Sequence, residues 1–463
     1  MAGLDRLSSD DAAILRLESA AITGHTCKVI VVGGPGAAPE LSLEGLRARV
    51  AAGLDRAPRA RDRVAFTPLG VATPVWVDDP DFDLRNHVVA AEAGEGAGLE
   101  TIVAALMSQR LDHTRPLWRM DLAGPFEDGS SAVIWRIHHA MADGMVSMRL
   151  GEALLWGPTE AALPRGGTNR TAPPPGGARL LAAGLVDRGA GLAKGASRAA
   201  GTLVRPREVA GGVRRLAQLP SALRRELRPL SALSSLDQHL TAAREVAFAA
   251  RPLDQLKQIE RAAREHTGHQ VTVNDVLLGA VAGGIRHWLA EEELPFSPMR
   301  VKVPVSMHAP GEGERVANRD SFLFVDLPCE EPDPLLRLAR ICGETEGMKE
   351  HHDAEALYSF FHGLSHLGPL GRAGARLASS PHEFSLAVSN VPGPKHELTV
   401  AGAPLRQLYS MAEPADRHAL RVSAVSYDGI VRVALCTDPT VLSGLQVLAE
   451  GIDLAVEEMV AAS

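Results

Sequence analysis

The sequence predicts an α/β protein built of α+β layers in two domains, and three observations carry that expectation. Strand-like and helix-like segments alternate through both halves of the chain, the pattern of helices laid on sheets. At 463 residues the chain is long for a single hydrophobic core. Between Gly157 and Gly177 the composition shifts to Pro158, Pro164, Pro173, Pro174 and Pro175 among Gly and Thr, a linker signature. The expected division is residues 1–156, a connector over 157–240, and residues 241–463.

The elements follow from local pattern. Ser8-Ser9-Asp10-Asp11 is a helix start, and Ala12 to Glu18 continues it with apolar residues at helical spacing. Thr26 to Val32 reads as a strand, and the Gly- and Pro-rich segment Gly33 to Pro39 after it reads as a turn, since it lacks the Lys-Ser/Thr ending of a P-loop. Leu43 to Leu54 is a helix, and Ala132 to Ile137 a strand. In the second half, the strand Arg244 to Ala250 precedes the helix Leu253 to His266. Thr272-Val273-Asn274-Asp275 forms a capping box for a helix running to about Ala290. Strands are expected over Met299–Met307, Ser321–Leu327, Phe384–Ser389, Leu420–Ser426 and Ile430–Thr437, with helices over Asp333–Lys349 and Thr440–Met459.

Composition narrows the classes of function. A net charge of −8 argues against bulk nucleic-acid binding. Cys27, Cys329, Cys342 and Cys436 are far apart and form no CxxC pair, so neither a disulfide framework nor a zinc site is expected. Met1 to Asp11 shows no signal-peptide pattern, and no apolar run reaches membrane-spanning length, so a cytoplasmic protein with at most peripheral membrane contact is expected. Local charge is different: Arg179 to Arg228 holds eleven Lys or Arg against three acidic residues, interleaved with Leu, Val and Ala. The stretch reads either as solvated connecting helices or as a surface that docks on anionic lipid.

The chemistry is concentrated in His138-His139-Ala140-Met141-Ala142-Asp143-Gly144, at the end of an apolar strand. Strand parity puts His139 on the side of Val133, Trp135 and Ile137, and His138 on the side of Ile134 and Arg136. Burial disfavours imidazolium, so His139 would be neutral and able to accept a proton. Asp143 and Gly144 suit a turn entering a helix, where Asp caps and Gly permits an unusual backbone. Locally the segment also allows a buried, hydrogen-bonded histidine pair, or a metal site of His139 and Asp143 at i, i+4. The metal reading lacks an evident third ligand, as His351-His352 sits in a polar helix-end context.

His138 to Gly144 matches the HHxxxDG signature of CoA-dependent acyltransferases whose fold resembles chloramphenicol acetyltransferase. Other segments resemble the bacterial wax ester synthase/diacylglycerol acyltransferases: Leu7 to Glu18, Pro74 to Asp83 with His87-Val88, Leu111-Asp112, Pro116-Leu117-Trp118, Asn274-Asp275-Val276, Val303-Pro304-Val305-Ser306, Asn318 to Ser321, and Asn390 to Pro394. They occur in the family's order from residue 7 to residue 394. The resemblance implies two chloramphenicol-acetyltransferase-like domains with an active-site tunnel at their interface. It implies an acyl-CoA donor as co-substrate with no further cofactor or metal, and diacylglycerol or a long-chain alcohol as acceptor. By carry-over His139 is the general base, attack on the thioester needs no covalent acyl-enzyme, and Asp143 orients the loop. Asn274 supports the site from the second domain, and Pro116 and Trp118 give shape. Asn274-Asp275 also reads as a helix cap, and Asn390 to Pro394 as a rigid turn. His308 stands where relatives commonly carry Arg. Two alternatives remain open from the sequence: an acyltransferase using a carrier-bound donor, and a non-catalytic lipid-body protein.

Overall fold

The computed structural model describes residues 4–36, 40–92, 94, 96–142, 144–156, 176–186, 235–306, 320–350 and 384–463. Asp143, His308, Asn318, His351 and His352, most of the expected linker and all of the basic stretch beyond residue 186 lie outside them.

Two six-stranded sheets organise the chain. The first contains β1 (His25–Gly33), β4 (Val88–Ala90), β5 (Trp118–Ala123), β6 (Ser130–His138), β11 (Thr399–Val400) and β12 (Ala403–Ala412), in the order β11-β12-β1-β6-β5-β4. The second contains β7 (Glu245–Pro252), β8 (Met299–Ser306), β9 (Asp320–Leu327), β10 (Leu386–Pro392), β13 (Leu420–Tyr427) and β14 (Ile430–Thr437), in the order β7-β14-β13-β10-β8-β9. A hairpin of β2 (Asp62–Ala65) and β3 (Val75–Asp78) stands apart. The α/β class read from the sequence is the observed one. The first sheet is not built from the first half alone. β12 arrives from the second half and pairs antiparallel with β1, Thr26 opposite Ala412 through Ile30 opposite Leu408.

β1 and β6 are buried along their whole length because both faces of their sheet are covered. On one face Val133, Trp135 and Ile137 join a core with Leu46, Val50 and Trp118. On the other, Cys27, Val29 and Ile134 meet Ile102, Val103 and Leu106 of α3 (Leu99–Met107), together with Val246 and Cys436 from the second sheet. The second sheet turns Val301, Val388, Val422 and Val433 toward the helices Val273–Glu291 and Leu445–Ala462. Those helices meet at glycines: a Cβ on Gly284 would lie 2.5 Å from Ile452 Cγ1. All four cysteines are buried free thiols. Among the described residues no helix is long and apolar enough to cross a membrane.

Most element bounds agree with the sequence reading within a residue or two. The last helix is a correction: it begins at Leu445, not Thr440, because Gly444 takes a left-handed φ of 70° ahead of it. Gly284→Val should lower stability by about 1–3 kcal/mol through overpacking. Urea unfolding would read this as a lower midpoint at unchanged slope.

Candidate active site

β6 ends at His138, and the next residues form a turn fixed at each backbone position. His138 N–H donates to Leu117 O at 2.9 Å, and His139 N–H donates to Gly24 O at 2.9 Å. Ala140 N–H donates to His138 Nδ1 at 3.0 Å, and Met141 N–H donates to His138 O at 2.9 Å. Because Nδ1 accepts, the proton of a neutral His138 sits on Nε2, which lies 2.6 Å from Glu18 Oε1.

Glu18 follows α1 (Ser9–Leu17) and is almost completely enclosed. His113 Nε2 contacts the same Oε1 at 2.8 Å, and Arg110 donates to Oε2. Burial alone would push this carboxyl up, but His113, His138 and Arg110 together hold it well below the usual carboxylate range. Glu18, His113 and His138 are also spaced as three metal ligands would be. Arg110 on the carboxylate and the acceptor role of His138 Nδ1 make the cluster a charge-paired brace. Gly24 makes room for it: its φ is +74°, and a Cβ there would lie 2.3 Å from His138 Nε2.

The two histidines therefore differ. His138 is fully buried: Nδ1 accepts from Ala140 N–H, and Nε2 lies 2.6 Å from Glu18 Oε1. We therefore read its expected place among the catalytic residues as a positioning role. His139 is only partly buried, and its ring has no hydrogen-bond partner among the described residues. Burial, reinforced by Arg421, His138 and Lys28, pushes its pKa down to about 3. The ring is thus neutral and its nitrogens are unencumbered near pH 7, as the sequence reading expects.

Pro116, Leu117 and Trp118 are buried. Leu117 supplies the carbonyl that receives His138 N–H, while Trp118 donates from Nε1 to Ala60 O at 2.7 Å and stacks on His87. These residues hold the strand end and shape the core. Gly144 opens α4 (Gly144–Leu154). Its backbone is not left-handed; its closest constraint is Val391 Cγ2, which a Cβ would meet at 3.3 Å. The reason for glycine is therefore proximity to β10, a correction to the expectation of an unusual backbone. Asn390 is exposed at the end of β10, near that approach. Asp275 accepts from Thr272 N–H at 2.9 Å and from Thr345 Oγ1 at 2.8 Å, completing a capping box. Asn274 sits beside it on a helix that covers the outer face of the second sheet.

Sequence reasoning missed Glu18, His113 and Glu413. Glu413 accepts from Thr23 N–H at 2.7 Å, from Thr23 Oγ1 at 2.6 Å and from Gly24 N–H. It links the end of β12 to the loop that carries the His139 contact. No spacing signal connects residues this far apart in the chain.

The description "wax ester synthase/diacylglycerol acyltransferase catalytic domain" matches residues 7–277, and the corresponding C-terminal domain matches residues 316–460. The chain belongs to this family and is an acyltransferase. It is 28% identical over 488 residues to a probable diacylglycerol O-acyltransferase, tgs1, of Mycobacterium tuberculosis strain ATCC 25618 / H37Rv, covering 99% of this chain and 96% of that one. A second from the same strain, tgs2, is 28% identical over 440 residues, 92% of each. In fold it is similar to a wax ester synthase/diacylglycerol acyltransferase from Marinobacter aquaeolei VT8, with a TM-score of 0.67, 22% identity and 98% of both chains covered. It is also similar to the starter condensation domain of rhizomide synthetase, with a TM-score of 0.58, 13% identity, and 99% and 95% covered.

The pKa of His139 lies below its unfolded value of about 6.5, and burial lowers His25 in the same direction. Below about pH 6.5 the unfolded chain binds protons that the folded chain does not, so stability should fall as pH drops from 6.5 toward 4. Each such histidine contributes a slope of about 1.4 kcal/mol per pH unit. Urea midpoints at pH 7.5, 6 and 5 check this, and His139→Gln should show a shallower decline.

Proposed function

We propose that this acyltransferase moves a long-chain acyl group from acyl-CoA to the hydroxyl of diacylglycerol or a long-chain alcohol, with His139 as general base. The observation that carries the reading is the asymmetry of the histidine pair: one ring is locked into the turn, and the other is neutral with no hydrogen-bond partner among the described residues. In the reaction His139 takes the acceptor's hydroxyl proton as its oxygen attacks the thioester carbonyl. The tetrahedral adduct collapses, the C–S bond breaks, and the CoA thiolate leaves and takes up the proton that His139 holds. The ester forms directly, without a residue in nucleophilic position becoming acylated. The names of the diacylglycerol O-acyltransferase relatives support the acceptor class. No cofactor beyond the co-substrate is invoked.

Purified protein with palmitoyl-CoA should release thiol in the presence of diacylglycerol or hexadecanol, and the lipid product identifies the preferred acceptor. His139→Ala should reduce release by about 100-fold or more with the fold retained by circular dichroism; undiminished turnover would remove His139 from the mechanism. Peripheral docking on a membrane or lipid body belongs to the same proposal. Replacing Arg214, Arg215, Arg224 and Arg225 by Glu should weaken co-sedimentation with anionic liposomes several-fold, and unchanged sedimentation would reject that surface.

A further inference from the structure

The second sheet has a face turned away from its helices, and one row across it is unusual. By direct register the row runs Phe324–Lys302–Ala387–Arg421–Cys436–Val246. Lys302 and Arg421 thus flank Ala387 two strands apart, about 10 Å at ordinary strand spacing. The alanine methyl fills little of the space between them. A cavity of about 140 Å³ lies here, walled by Lys302, Ala387, Arg421, Phe384, Glu413 and His418.

Among the described residues no carboxylate pairs with either cation. Arg421 has no hydrogen bond or ion pair with any described residue, and its Nε is buried without a partner. Among the described residues Lys302 Nζ faces rings, Phe322 at 4.2 Å and Phe384 at 5.4 Å. The carboxylate in the wall, Glu413, is directed to Thr23 and Gly24. Three more deeply buried cations do have polar partners. Arg136 pairs with Asp121 and two carbonyls, Arg337 with Glu458 and a carbonyl, and Lys28 with Ser410. Withdrawing a charge from water without a counter-ion is unfavourable, and partial burial here pushes Arg421 down to about 10 and Lys302 down to about 8. A bound anion would relieve that penalty.

The position narrows which anion. Glu413 in the cavity wall accepts from Gly24 N–H, and Gly24 O receives His139 N–H at 2.9 Å, so the cavity lies against the histidine turn. A CoA whose thioester lies at His139 holds its phosphates a full pantetheine arm away, beyond a cavity this close to the histidine. The geometry points to an oxyanion subsite in which Lys302 and Arg421 bind the carboxylate or phosphate head of an amphiphilic ligand beside His139. This rests on the proposed placement of the acceptor at His139 and extends the acceptor class to lipids bearing an acidic group.

The test is equilibrium binding to the full chain without acyl donor, so it is independent of turnover. Displacement of a fluorescent long-chain carboxylate is followed with myristate, myristoyl lysophosphatidate, inorganic phosphate and hexadecanol as competitors. At least one oxyanion should bind, weakened tenfold or more in Arg421→Gln and Lys302→Met, with hexadecanol changed less than twofold. Arg421→Lys should retain binding within a few-fold and serves if the glutamine variant does not fold. His139→Ala should bind as the unaltered chain does, which separates this subsite from the catalytic reading. Preference for myristate or for the phosphate compounds assigns the head group. Absence of oxyanion binding, or equal binding by all variants, overturns the proposal.

Discussion

An enclosed carboxylate meeting an enclosed imidazole is the constraint on which the site depends. Glu18 at the end of the first helix and His138 at the end of a central strand contact at 2.6 Å with almost no exposure of either. A carboxylate in such a place is tolerated only when charge-assisted partners surround it, and Arg110 and His113 supply the rest. The consequence reaches beyond the pair. With Nε2 against Glu18, Nδ1 accepts from Ala140 and sets the bend after β6. That bend leaves the His139 ring without a hydrogen bond among the described residues.

A second constraint joins the two halves of the chain at the same point. β12 crosses from the second half to pair along β1, and Glu413, the residue after it, binds Thr23 and Gly24 just before β1. Gly24 then receives His139 N–H through its carbonyl. The histidine turn is therefore held by a strand on each side, by the first helix, and by an acidic residue that binds Gly24 from 389 positions further along the chain. The inner face of the second sheet comes next to this turn through Val391 against Gly144.

Much of this is legible in the sequence, and the omissions have physical reasons. The apolar run before His138, the Thr272 capping box and the closing helix are signals carried by neighbouring residues, and they appear where expected. β12 escapes recognition: Arg406, Gln407 and Ser410 interrupt its apolar pattern, and the ladder with β1 shifts register between Val31 and Val32. Glu18 looks like a solvated helix end until the fold encloses it. Arg421 and Lys302 illustrate a subtler failure. Alternation along β8 and β13 marks both as strands, and such alternation ordinarily sends the polar residues to water. Here the apolar set meets helices, while the polar set faces the interior beside the first sheet. Periodicity reports the two sides of a strand; whether the second side is wet depends on what else the chain folds over it.

That half-buried, cationic side bears on the chemistry proposed for His139. Arg421 and Lys28 both disfavour its protonation, and burial does so more strongly. The ring is consequently available as an acceptor at neutral pH, yet it is a weak base while the cations are unopposed. In the proposed reaction the same positive potential would stabilise negative charge developing on the attacked carbonyl oxygen and on the leaving thiolate. An acidic head group between Lys302 and Arg421 would offset the cations and raise the basicity of His139. Such a ligand would weaken the potential available to the oxyanion at the same time. An uncharged acceptor leaves the potential intact and the base weak, so acidic and neutral acceptors divide the work between base and field differently within one unaltered fold.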